Sequence, residues 1–312
     1  MAKFLKNLKN NPFYFLIIFL IAFLNLFWLP TFSFWNIYPK NSSFLKNSGL
    51  IQYQHPSKVY SKLSPKPQLN SQHYILLDAT TNTVILSQNP DSKIYPASTT
   101  KLATALTALN IYPLDEVLTI NQEYTDGQVM ELKLGEKITI RSLVDALLVY
   151  SANDAAFTLA NHHQKGETGF IEEMNLIAQK YGLKNTHFTN YDGIHNENHY
   201  SSVYDLSQIA RLAIKNPVVT KTVKQKNLTV ENVEKTIKHE LVSTNELLGI
   251  IPEIEGLKTG WTPEAGGAFI GLINLNGHYL ISVVAQSEDR FADTKNIINW
   301  AKSNVFWQPY QP

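Results

Sequence analysis

The sequence predicts an α+β fold: a mostly antiparallel sheet flanked by helices, with a helical subdomain, preceded by one transmembrane helix. Three observations carry that prediction. Strand-like stretches lie near both ends of the folded part, at 74–87 and 228–285. Between them, apolar residues recur at helical spacing. One apolar run, Phe13 to Leu29, stands apart near the N-terminus and is interrupted only by Tyr14 and Asn25. Strands at both ends with helices between them indicate α+β rather than an alternating α/β order.

The apolar run is just long enough to span a bilayer, which takes about 17–25 residues. Lys3, Lys6 and Lys9 precede it and no small-residue cleavage site follows it. Trp28, Trp35 and Tyr38 suit a membrane interface. We therefore expect a cytoplasmic tail at 1–12, an uncleaved signal-anchor at 13–30 and the rest of the chain outside, with a cleaved and secreted form as the alternative. Residues 31–70 carry Pro39, Pro56, Pro65 and Pro67 among serines, asparagines and lysines without sustained period, so they are expected to be an extracytoplasmic linker.

Order is expected from about residue 71 to 307, leaving 308–312 as a tail. Tyr74 to Asp78 and Thr83 to Ser87 read as strands around a turn at 80–82. A helix is expected from Ser98, with Leu102, Ala105, Leu106 and Leu109 on one face, and another over Arg141 to Val149. Further helices are predicted over Asn153 to Asn161, Phe170 to Tyr181 and Tyr204 to Ile214, the last with Ser202 and Asp205 as a capping box. Leu228 to Val233 and Thr236 to Leu241 read as strands. Ala268 to Asn274 and His278 to Ala285 flank Asn276-Gly277, the strongest hairpin signal in the chain. Thr294 to Val305 is the closing helix, with Ile297, Ile298, Ala301 and Val305 inward.

Composition narrows the function classes. The formal net charge is +1, which gives no electrostatic footprint for nucleic acid. The absence of cysteine excludes disulfides, thiolate catalysis and cysteine–zinc sites. A metal site could be drawn on His187, Asp192, His195 and His199, but loops rich in Asn, Asp and His form turns, and no histidine pair at i,i+4 falls on a predicted helix. We expect no metal and no cofactor.

The chemistry rests on three short segments. Ser98-Thr99-Thr100-Lys101 places a hydroxyl and an amine three residues apart on one helical face, where the amine can take the hydroxyl's proton if burial or a second cation keeps it neutral. Lys258 is the candidate second cation. Ser151-Ala152-Asn153 puts a hydroxyl and an amide at i and i+2 in a break between helices. There the hydroxyl can relay a proton and the amide can hold a peptide group. Lys258-Thr259-Gly260-Trp261 is expected on an edge strand along which substrate backbone can pair, with Gly260 admitting a second backbone. Each segment is weak alone. Ser43 to Lys46 and Ser243 to Asn245 match two of the patterns and are set aside as decoys.

In that order and spacing the three segments match the set used for acyl transfer by penicillin-binding proteins and class A β-lactamases. The likeness extends to Pro96 and Ala97, to Tyr150 with Asp154-Ala155-Ala156, to Gly256 through Gly266, and to Asp192-Gly193-Ile194 with His199-Tyr200-Ser201. Over roughly 71–305 the chain resembles the serine D-alanyl-D-alanine carboxypeptidases, the low-molecular-mass penicillin-binding proteins, of β-lactamase/DD-peptidase-like fold. The resemblance implies a membrane-bound cell-wall hydrolase. It would remove the terminal D-alanine from peptidoglycan stem pentapeptides, and β-lactam antibiotics would acylate it. It implies Ser98 as nucleophile, Lys101 as its base and Ser151 in the proton network. Asn153, Lys258, Thr259, Gly260, Trp261 and Arg290 would bind substrate, with Thr259 and Arg290 near its carboxylate. Backbone N–H groups of Ser98 and Trp261 would form the oxyanion hole. Many family members add a β-rich domain and a C-terminal amphipathic anchor; here the N-terminal run would take the anchor's place. A D,D-endopeptidase, a β-lactamase and a non-catalytic penicillin sensor are the alternatives. Class A lactamases use a further glutamate, and Glu172 and Glu173 fall on a predicted helix instead.

Overall fold

The structure, a computed structural model, describes residues 57–308. The predicted cytoplasmic tail, the signal-anchor at 13–30, linker residues 31–56 with the Ser43/Lys46 decoy, and residues 309–312 lie outside the described residues.

In chain order, strand β1 is Lys58–Ser61, β2 His73–Asp78 and β3 Val84–Gln88. A single 3₁₀ turn, Ala97–Thr100, leads into α1, Lys101–Ile111. Strands β4 (Val117–Thr119) and β5 (Lys137–Thr139) pair with each other. Helices α2 (Ile140–Val149), α3 (Asn153–Asn161), α4 (Gly166–Lys180), α5 (Val203–Ala213) and α6 (Pro217–Thr222) follow. Strands β6 (Asn227–Glu231) and β7 (Lys238–Val242) form a ribbon. Then come β8 (Ile254–Thr262), β9 (Gly266–Leu275), β10 (His278–Ser287), α7 (Arg290–Asn304) and β11 (Val305–Gln308).

Five strands form one antiparallel sheet in the order β3-β2-β10-β9-β8. Leu280 to Ala285 of β10 pair with Asp78 to His73 of β2, so strands 200 residues apart meet at the centre. The β2 sequence Tyr-Ile-Leu-Leu has no polar alternate because both of its faces are covered. Ile75 and Leu77 pack into the helical side with α1, α2 and α5, while Tyr74 and Leu76 pack against Ile297, Ile298 and Ala301 of α7. Leu102, Leu143 and Leu147 are fully buried in the helical side. Each contributes roughly 1.5–3 kcal/mol by leaving water.

The Asn276-Gly277 signal folds as expected. Both residues take positive φ, 53° and 85°, and join β9 to β10 in a two-residue turn whose twist matches the strands. The α+β class and the antiparallel sheet flanked by helices stand as the sequence predicts.

Several boundaries are corrected. Ser98 lies in the 3₁₀ turn, and the α-helix starts only at Lys101. Helix α7 begins four residues early because the Asp289 carboxylate caps the N–H groups of Phe291 (3.1 Å) and Ala292 (2.9 Å). Helix α4 likewise starts at Gly166 rather than Phe170. The capping box at α5 is half-formed: Asp205 N–H donates to Ser202 Oγ (3.1 Å), but the Asp205 carboxylate accepts from Asn185 N and Thr186 Oγ1 (2.8 Å each).

The ordered part also begins before residue 71. Strand β1 pairs with β11, burying Val59 and stacking Tyr60 on Phe306 at 5.7 Å. Asn70 and Ser71 donate their N–H groups to the buried Asp293 carboxylate at 2.8 and 2.9 Å. The C-terminal part of the predicted linker is thus fixed by backbone pairing and a buried carboxylate, neither of which shows as periodicity. Among the described residues no helix is long and apolar enough to cross a membrane.

Candidate active site

Lys101, the first residue of α1, is fully buried. Its Nζ lies 3.0 Å from Ser98 Oγ and donates to the carbonyl O of Asp192 at 2.7 Å. Burial lowers its pKa to about 8, while the Asp192 carboxylate pulls the other way. Of the two causes the sequence left open, burial is the one that lowers Lys101; Lys258 is not among its causes. Lys258 is instead on the receiving end: burial first, then Lys101, then Arg290 push it well below the ordinary lysine value. Its Nζ donates to Thr259 O at 3.1 Å within β8.

Two glycines set the Ser98 turn. A Cβ on Gly193, whose φ is +86°, would meet Ala97 O at 1.9 Å. A Cβ on Gly260 would meet Pro96 O and the N atoms of Ser98 and Thr99 at 3.0 Å each. The loop holding Asp192 and the edge strand β8 therefore clamp the turn by direct backbone approach, which only glycine permits.

Ser151 follows α2 at φ 68°, a left-handed conformation uncommon outside glycine. Asn153 opens α3. Its backbone N–H donates to Gln128 O (2.7 Å) and its side chain to Asp126 O (2.9 Å). The neighbouring Asp154 carboxylate accepts from Met130 N (3.0 Å) and Leu132 N (3.1 Å). The segment thus fastens the 126–132 loop beside the site.

Ser98, Ser151, Asn153, Thr259, Gly260, Trp261 and Arg290 line one cleft of about 340 Å³. Lys101 and Lys258 lie buried beneath the surface. Trp261 stands 61% exposed at the rim. Arg290, at the start of α7, reaches Gly260 O only at 3.5 Å, and its buried Nε has no partner. Burial lowers its basicity, opposed by Glu246 and Asp289.

Sequence reasoning missed other lining residues. Thr244 belongs to a tripeptide set aside as a decoy, yet its Oγ1 lies 2.6 Å from Thr259 Oγ1 in the cleft. Gly127 and Gln128 also line it. No local pattern marked these residues; they arrive from loops fixed by distant partners.

The histidine loop has another use. His199 is buried, and Thr189 N–H donates to its Nδ1 (3.1 Å), so its Nε2–H faces Thr100 Oγ1 at 2.8 Å behind the Ser98 turn. Burial, then His187 and His195, lower its pKa to about 3. Among the described residues no group of three or more His, Asp or Glu side chains is placed to hold a metal. Glu172 pairs with Lys165 (3.1 Å), and neither it nor Glu173 lines the cleft.

Comparison with known proteins bears on the same residues. A family model described as D-alanyl-D-alanine carboxypeptidase, peptidase S11, matches residues 60–289. The D-alanyl-D-alanine carboxypeptidase DacA of Haemophilus influenzae is 31% identical over 254 residues, covering 76% of this chain and 63% of that protein. DacF of Bacillus subtilis is 29% identical, covering 75% and 63%. The chain thus spans less than two thirds of the length of these relatives. The crystal structure of the Streptomyces K15 DD-transpeptidase superposes with a TM-score of 0.73 at 31% identity, covering 77% of this chain and all of that one.

Proposed function

The chain belongs to the D-alanyl-D-alanine carboxypeptidase family, and on that premise we propose that it is a serine D,D-carboxypeptidase removing the terminal D-alanine from peptidoglycan stem pentapeptides through an acyl-enzyme. The observation that carries this reading is the buried amine of Lys101, 3.0 Å from Ser98 Oγ, with a pKa near 8.

Neutral Lys101 donates one proton to Asp192 O and presents its lone pair to the Ser98 hydroxyl. Ser98 Oγ attacks the carbonyl carbon of the terminal D-Ala-D-Ala bond, and its proton passes to Lys101. The C–N bond breaks as Ser151 relays a proton to the departing amine, which leaves as D-alanine. Water then attacks the ester, with the same amine as base, and frees Ser98. Asn153 holds the penultimate peptide group. Thr259, Gly260 and Arg290 take the terminal carboxylate, Lys258 braces the floor through its bond to Thr259 O, and Trp261 covers the rim. Backbone N–H groups of Ser98 and Trp261 stabilise the oxyanion. Penicillins acylate Ser98 by the same attack. Mass spectrometry of products from a synthetic pentapeptide ending in D-Ala-D-Ala tests the reading: release of one D-alanine supports it, and an unchanged peptide refutes it. A second reading, transfer of the acyl group to an amine, is favoured by the likeness to the K15 DD-transpeptidase. A cross-linked product on adding an amine acceptor would show it.

The catalytic domain's place is read from Lys3, Lys6, Lys9 and the apolar run with no small-residue cleavage site after it: a retained anchor, with the domain outside the cell membrane.

A further inference from the structure

The mechanism uses the main-chain oxygen of Asp192 but gives no task to its side chain. Asp192 is almost fully buried. One carboxylate oxygen caps Ile194 N–H at 3.1 Å, and the other accepts from Tyr124 Oη at 3.2 Å. Tyr124 comes from the opposite side of the cleft, in the loop between β4 and β5. Its ring stacks on Phe157 of α3 at 5.1 Å, and Tyr191 packs on the same Phe157 at 6.5 Å. The residue that fixes the Lys101 amine by its carbonyl thus also has its carboxylate held in place by Ile194 N–H and Tyr124.

We propose that Asp192, held by Tyr124, is a positioning residue that sets how much positive charge Lys101 carries at working pH. The proposal rests on Lys101 being the base. The charged and titratable groups involved face one another from every side of the site. Lys101 faces Asp192 from the loop and Lys258 from β8. Asp192 faces Tyr124 and Tyr191, which in turn face Glu167 of α4; Tyr124 also faces Asp126. Burial lowers the basicity of Lys101, and the Asp192 carboxylate opposes that shift. By donating to that carboxylate, Tyr124 weakens its pull and keeps it in place. Tyr124 also joins the 126–132 side of the cleft to the 190–194 side.

The test is the pH dependence of acylation of the full chain in detergent by a fluorescent penicillin. For Asp192→Asn, which retains the main-chain contact, the ascending limb should move about one pH unit toward acid. For Tyr124→Phe it should move the other way, by about 0.5 pH unit, the worth of one hydrogen bond. The double variant should match Asp192→Asn, because without the charge Tyr124 has nothing to attenuate. Limbs that superpose on wild type overturn the proposal, as does a Tyr124→Phe limb that moves toward acid. If Asp192→Asn does not fold, Tyr124→Phe decides alone. Lys101→Arg separates the two levels: a fully active Lys101→Arg enzyme refutes the base, whereas an inactive one with unmoved Asp192→Asn and Tyr124→Phe limbs refutes only the role of Asp192.

Discussion

Burial makes Lys101 a candidate base, and its chemistry should follow from that single environment. Lys101→Arg keeps the charge but cannot offer a neutral lone pair, since guanidinium stays protonated. We expect turnover to fall by about 10²–10⁴-fold, read from D-alanine release; near-normal rates would move the base elsewhere. In the wild type, activity should rise with pH through about 8, the pKa to which burial lowers Lys101. The same shift links to stability. From about pH 8 up to its ordinary value of 10.5, Lys101 holds fewer protons folded than unfolded, so its contribution to stability rises with pH across that window. Denaturant titrations should therefore show Lys101→Met gaining most, relative to wild type, below pH 8. Ser98→Ala should abolish covalent labelling by a fluorescent penicillin while leaving the fold intact.

Elements, rather than single side chains, place Ser98. The 3₁₀ turn carrying Ser98 is fixed by contact with two backbones, at Gly193 and Gly260. Gly193→Ala forces a Cβ into Ala97 O and onto a positive φ, so we expect acylation to drop at least as sharply as for a lost catalytic group, with a destabilisation of roughly 1–3 kcal/mol. Full labelling rates in a folded Gly193→Ala protein would show that the turn relaxes freely. The start of α3 acts similarly on the 126–132 loop. Asp154→Ala leaves the buried N–H groups of Met130 and Leu132 without a partner, each costing about 1–3 kcal/mol. Proteolysis within 123–132 should then become faster than in wild type, and an unchanged rate would argue that other contacts hold the loop.

Across the described residues, the sheet joins the two ends of the folded part. Because β2 pairs with β10 and α7 covers Tyr74, Leu76 and Phe269, removing residues 288–312 uncovers one face of the sheet. Such a truncation should lose cooperative thermal unfolding, followed by near-UV circular dichroism; a sharp transition would mean that the helical side suffices. For the N-terminal segment, the retained-anchor proposal predicts that intact-mass analysis of membrane-extracted protein finds residues 13–30 still attached. A mature form starting near residue 31 would overturn it.

From residues alone came the α+β class, most helices and strands, the hairpin at Asn276-Gly277 and the three segments that meet at one cleft. These are legible because period, turn chemistry and motif spacing are local properties of a chain. The pairing of β1 with β11, the cleft position of Thr244, the Asp289 cap and the link between Tyr124 and Asp192 were not legible. Each joins residues whose partners the chain brings from far away or hides in a short polar stretch. The cause of the lowered Lys101 pKa belongs with them: a lysine's spacing from a serine is written in the sequence, but the solvent it loses depends on every element packed around it.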